Sequence, residues 1–211
     1  EYSFQVEYKW EGRFPAVQIG MLAPDDHDLM EAAVNLAKKS DATILLVGTN
    51  SDWETEGNDR DSLLLPLRQN ELIEKVCKAN KNTVVVLNTG SPCEMPWNNE
   101  ANAILQCWFP GQEFGNSLAD IIFGKVNPSG KLPTTFPIKL EDTPAYNTYP
   151  GKDLQMDYEE GLYIGYRWYE KENITPLYPF GHGLSYTSFT YSNARAIPPK
   201  GTSSVAAFEL E

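Results

Sequence analysis

Three short, largely apolar runs constrain this chain more than any other feature: ATILLV ending at Val47, which is continuous, TVVVLN from Thr83 and AILQCWF from Ala103. A strand that does not alternate is apolar on both faces, as expected in a parallel sheet covered by helices. The segments between the runs have helical spacing. Leu29, Ala33, Leu36 and Ala37 return at that interval after a capping stretch from Asp25 to Asp28; Leu72, Ile73, Val76 and Cys77 do so within a helix expected from about Arg68 to Ala79. A third helix is expected from Gln112 to Phe123, with Leu118, Ile121 and Ile122 inward. Strand and helix alternate, which predicts an α/β domain: a parallel sheet sandwiched by helices, flavodoxin-like, with right-handed crossovers.

The ends follow a different pattern. Phe4, Val6, Tyr8 and Trp10 alternate with polar residues, and Val17, Ile19 and Met21 do so again, which predicts β-rich ends and makes 1–22 the tail of a β-domain. The α/β domain is placed at 23–185. Its last third, from Gly124, is rich in Pro, Gly and Tyr and predicts a long irregular arm, tied to the core by its aromatics. Beyond Tyr186, SFTYS and SVAAFELE alternate, so 186–211 is expected to open a further β-domain.

The net charge of −12 argues against nucleic acid as a partner. No apolar run approaches the roughly 20 residues that span a bilayer, so no membrane partner is expected. Cys77, Cys93 and Cys107 are too widely spaced for a structural zinc site and are read as small apolar residues. The sequon Asn173-Ile174-Thr175 is compatible with secretion without establishing it, and both a secreted and an intracellular location stay open.

In parallel α/β sheets ligands gather beyond the carboxyl ends of the strands. The connection after Val47, GTNSDWETEGNDRDS, is far longer than the two to six residues usual there, and it gathers Asp52, Glu54, Glu56, Asp59, Arg60 and Asp61 around Trp53. Two readings compete. One is a solvated acidic loop with an offsetting arginine; the other is a sugar site, with carboxylates for hydroxyls and protons and Trp53 to stack on a pyranose ring. Calcium fits poorly, because EF-hand spacing is absent. A nucleotide site fits no better, since no Gly-x-Gly-x-x-Gly follows any of the strands.

Four strings carry a resemblance. ETEGNDRDSLLLPLRQNELIEKV from Glu54 contains Glu-x-x-Asp-Arg before a Leu-x-Leu-Pro and a Gln-bearing helix. WFPGQEFGNSLADIIFGKVNPSGKLPTTFP from Trp108, YEEGLYIGYRWYE from Tyr158 and YPFGHGLSYTSF from Tyr178 follow in order. Together they are similar to the carboxy-terminal α/β domain of glycoside hydrolase family 3, of the β-glucosidase type. The resemblance implies a retaining β-glycosidase acting on terminal β-D-glucosyl residues without metal or organic cofactor. It also implies that the nucleophilic Asp lies on an amino-terminal TIM barrel, no part of which is present. The flanks resemble the edges of a protective-antigen-type β-sandwich insert and a fibronectin type III-like domain. Glu56, in the glutamate place of Glu-x-x-Asp-Arg, is implied as the general acid/base. Glu54, two residues earlier and flexible enough to compete, is the reserve, and Trp53 is the candidate substrate contact. Expected partners are a β-glucoside or oligosaccharide and the barrel, with homo-oligomerisation left open. The alternative is a non-catalytic carbohydrate-binding or scaffold module, and the fragment alone is expected to be inactive.

Overall fold

The computed structural model describes residues 28–57, 59–193, 195–197 and 207–209. The strands expected within 1–22 lie outside them. Asp28 starts helix α1 (Leu29–Lys39) by accepting hydrogen bonds on Oδ1 from the Met30 and Glu31 amides, at 3.0 and 3.3 Å, which satisfies two of the first-turn donors. Lys38 and Lys39 occupy its last turn, where positive charge suits the helix dipole. Strand β1 (Thr43–Gly48), helix α2 (Gln69–Ala79), strand β2 (Thr83–Asn88), strand β3 (Ala103–Gln106) and helix α3 (Phe114–Ile122) follow in order.

The three strands form a parallel sheet in the order β1-β2-β3, with Val47 opposite Leu87 and Val86 opposite Leu105. Helix α1 packs on α2. Ile73 and Cys77 of α2 meet Val47, Val85 and Leu87 in one buried cluster that also holds Leu65, Cys93, Met95, Trp97 and Phe136. Burial raises the Cys93 thiol pKa to about 12 and pushes that of Cys77 up as well, so both remain neutral packing groups.

Several expectations need correction. Strand β2 is covered as predicted, but β1 is not: Ile44 and Leu46 are 46% and 56% exposed, because among the described residues β1 lies at the edge of the sheet and the helices packed there cover the opposite face, which bears Val47. Leu29 and Leu36 of α1 are exposed too, and only Ala37 of that helix is buried. Strand β3 ends at Gln106 and not at Phe109, since Trp108 takes a left-handed φ of 56° that breaks the extended run. Residues 188–192, SFTYS, form no strand; short antiparallel strands β4 (Arg195–Ile197) and β5 (Ala207–Glu209) pair instead.

The edge of β1 is closed at one point. Gly48 donates its amide to Gln69 Oε1 at 2.7 Å, and Gln69 Nε2 donates to the Gly48 carbonyl at 2.8 Å. A Cβ on residue 48 would lie 2.1 Å from the Asn88 carbonyl oxygen, so only glycine lets the strands stay this close where the long loop begins.

The arm from Gly124 is tied at its two ends. The Leu132 amide donates to the His182 carbonyl at 2.8 Å, Gly181 donates to Leu132 at 2.7 Å, and Phe136 donates to Tyr178 at 2.8 Å. Phe136 sits in the core, and the Tyr178 hydroxyl reaches Asn98 Oδ1 at 2.5 Å. Between its ends the arm carries a 3-10 turn (Leu140–Asp142) and the short helix α4 (Tyr166–Lys171), whose Tyr169 is buried, whereas Leu154, Tyr158 and Leu162 are open to solvent. Chymotrypsin should therefore cut the native chain at Leu154, Tyr158 or Leu162 well before Phe136, Tyr169 or Tyr178. Mass mapping of the first fragments checks this, and early cuts at Phe136 or Tyr178 would mean that the tie does not form.

Candidate active site

The long loop leaves β1 at Thr49, whose amide donates to the Asn88 carbonyl at 3.0 Å. It turns at once: the Trp53 and Glu54 amides both donate to the Asn50 carbonyl, at 3.0 and 2.9 Å, and the Asp52 amide donates to Asn50 Oδ1 at 2.9 Å. An Asn at the first position of such a turn supplies both acceptors from one residue. The turn places Trp53, Glu54, Thr55 and Glu56 on the wall of an open cavity completed by Asp59, Arg60 and Ser91. The cavity opens beyond the carboxyl ends of β1 and β2.

The two glutamates differ sharply. Glu56 is exposed on this wall. Glu54 has a side chain only 13% exposed, and both of its oxygens are engaged. Oε1 accepts from the Thr49 hydroxyl and from the Gly90 amide, the latter at 3.0 Å, while Oε2 accepts from the Ser91 hydroxyl at 3.0 Å. Arg60 Nη1 lies 3.8 Å from Oε1, and Arg60 Nη2 donates to the Pro92 carbonyl at 3.3 Å. The expectation of a flexible Glu54 is thus corrected: donors on both oxygens fix it.

Trp53 is 42% exposed and presents apolar surface beside Glu56. The Tyr149 hydroxyl donates to Asp59 Oδ2, which brings the middle of the arm to the far side of the loop; this hydrogen bond holds the phenol pKa above its usual value. His182 stacks on Tyr178 with ring centroids 4.8 Å apart and anchors the arm, away from the cavity. Among the described residues no cluster of three or more His, Cys, Asp and Glu side chains is placed to hold a metal ion.

Sequence reasoning located Trp53, Glu54, Glu56, Asp59 and Arg60 and missed Thr49, Gly90, Ser91 and Tyr149. The first three lie directly beyond β1 and β2, where the strand-end rule points, but nothing in Gly48-Thr49 or in Gly90-Ser91 marks either as a carboxylate's partner.

A parallel α/β domain with its polar side chains on the strand-to-helix loops defines a broad class, and comparison with known proteins narrows it. Residues 2–186 match the family described as "Glycosyl hydrolase family 3 C-terminal domain", and the chain belongs to that family. It is 48% identical over 166 residues to "Probable beta-glucosidase I" of Aspergillus flavus, covering 79% of this chain and 20% of the relative. It is also 48% identical over 168 residues to "Thermostable beta-glucosidase B" of Acetivibrio thermocellus, covering 80% of this chain and 22% of the relative. The crystal structure of a β-glucosidase from Kluyveromyces marxianus in complex with glucose superposes with a TM-score of 0.79 at 44% identity, over 84% of this chain and 21% of that one. The chain thus spans about a fifth of the length of these relatives.

Proposed function

We propose that this domain contributes the general acid/base to a retaining β-glucosidase, and that Glu56 is that residue. The supporting observation is the contrast within the loop: Glu56 is exposed at the cavity, whereas both oxygens of Glu54 already accept hydrogen bonds. A general acid must bring a proton to a leaving oxygen at hydrogen-bond distance, and a carboxylate whose lone pairs face protein donors cannot do so without breaking them. The names of the relatives at 48% identity support β-glucosidase as the activity.

The chemistry has two steps. A carboxylate on an amino-terminal barrel attacks the anomeric carbon; the bond from that carbon to the aglycone oxygen breaks, and Glu56 gives its proton to the departing oxygen. Glu56, now ionised, takes a proton from water as the water oxygen attacks the same carbon, releasing β-glucose and restoring both carboxyl groups. Retention requires the two carboxyl groups to stand about 5–5.5 Å apart, so the barrel has to reach the open side of this cavity. Trp53 forms an apolar wall against the sugar or aglycone.

The division of labour is testable. The 211-residue chain, checked for a folded state by circular dichroism, should leave an aryl β-glucoside intact, while the complete enzyme hydrolyses it and releases β-glucose first. Turnover by the folded chain alone would overturn the shared site. Initial release of α-glucose by the enzyme would overturn the retaining mechanism.

A further inference from the structure

We propose that Glu54 is a positioning residue that sets where Glu56 sits, an inference resting on the reading of Glu56 as the acid/base. Among the described residues of the loop between β1 and α2, from Thr49 to Arg68, there is no helix or named strand to hold Glu56 in place. The Glu54 carboxylate does this by joining three separate pieces of chain. Thr49 belongs to the end of β1, Gly90 and Ser91 to the turn after β2, and Arg60 to the returning limb of the loop. Arg60 is itself held by the Pro92 carbonyl, so the returning limb is fixed to the same turn.

Glu56 is only two residues from this junction, a span of at most about 7 Å. Its reach is therefore measured from a point anchored to two strand ends. The turn after β2 is shaped for the contact. A Cβ on residue 90 would lie 2.7 Å from Glu54 Oε2 and 2.6 Å from the Phe109 ring, so glycine is what allows the carboxylate to meet the backbone amide. A residue serving only to stabilise the domain would not need its junction beside the reacting group. One that aims Glu56 does, because a misplacement of about 1 Å can cost about a hundredfold in rate.

The test uses the complete enzyme and compares kcat/KM for cellobiose, whose leaving group needs a proton, with that for 2,4-dinitrophenyl β-glucoside, whose leaving group does not. Glu54→Ala should lower the first by about 10- to 100-fold and the second by less than about threefold. Glu54→Gln should recover most of the loss, since its carbonyl can accept from Thr49 and Gly90 while its NH2 donates to Ser91, a hydroxyl able to accept. The double variant Glu54→Ala/Glu56→Ala should be no worse on cellobiose than Glu56→Ala alone, because a residue that acts through another has nothing left to act on. Equal losses on both substrates, or losses that multiply in the double variant, would overturn the proposal and make Glu54 a stabilising residue only. If added azide accelerates Glu54→Ala, yields β-glucosyl azide and leaves Glu56→Ala unaffected, Glu54 is itself the acid/base and the parent reading fails instead. Should Glu54→Ala not fold, Ser91→Ala removes one donor from Oε2 and should show the same selectivity at a loss of several-fold; equal losses on the two substrates there would also overturn the proposal.

Discussion

Glu56→Ala in the complete enzyme is expected to lower kcat/KM for cellobiose by about 10²- to 10⁴-fold, the usual worth of general acid catalysis. The same ratio for 2,4-dinitrophenyl β-glucoside should change little, because a good phenolate departs without a proton. Turnover of the activated substrate should still slow, since water loses its general base and the glycosyl-enzyme accumulates. Azide needs no base to attack that intermediate, so adding it should speed turnover and give β-glucosyl azide, with configuration retained through two inversions. A uniform loss on both substrates with no response to azide would show that Glu56 is not the proton donor. Azide rescue of Glu54→Ala with none in Glu56→Ala would move the assignment by two residues.

The second large effect concerns stability. Trp97 is 2% exposed and is the largest fully buried side chain described, and its Nε1 donates to Asn70 Oδ1 at 2.8 Å. Asn70 also donates through Nδ2 to the Leu65 carbonyl at 3.3 Å, so the pair joins the end of the long loop to α2 and the core. Trp97→Ala should cost about 3–5 kcal/mol, from lost burial and an incompletely collapsing cavity, and it leaves the Asn70 oxygen without its donor. Trp97→Phe keeps most of the apolar volume and should cost less, about 1–3 kcal/mol, chiefly for the hydrogen bond. Against a usual domain stability of about 5–15 kcal/mol the alanine variant is a severe loss. Pulse proteolysis across a urea series, following fragments from this domain, measures both. A cost for Trp97→Ala below about 1 kcal/mol would mean that the surroundings close over the site or that water refills it at little expense.

The fold was legible where a period ran for several residues. The pattern Leu72, Ile73, Val76, Cys77 located α2 to within a residue of Gln69–Ala79, and Asp28 proved to be the cap of α1. Legibility failed where an apolar residue had no periodic partner. Phe136 enters the core from an irregular arm, and α4 is too short for a helical repeat to emerge. The exposure of Ile44 and Leu46 could not be read from ATILLV, because an apolar run shows what a strand tolerates on each face and not what covers it. In the site, the length and acidity of the loop marked it out from sequence. The choice of Glu56 over Glu54 came from the Glu-x-x-Asp-Arg resemblance; the hydrogen bonds that occupy Glu54 did not appear, because their donors Gly90 and Ser91 lie far along the chain at another strand's end.

The amide of Gln69 stands where a neighbouring strand's peptide group would stand, offering the Gly48 edge one acceptor and one donor. A side-chain amide and a backbone amide are the same functional group, so the ladder is filled there by a piece of helix α2 that cannot be extended. Any further strand joining this edge could align with Ile44 and Leu46, whose amides alternate to the outside in register with Gly48, but it would have to stop before Gly48. The root of the loop beyond is thereby shielded from such pairing, because its last strand residue already has both backbone groups occupied by Gln69.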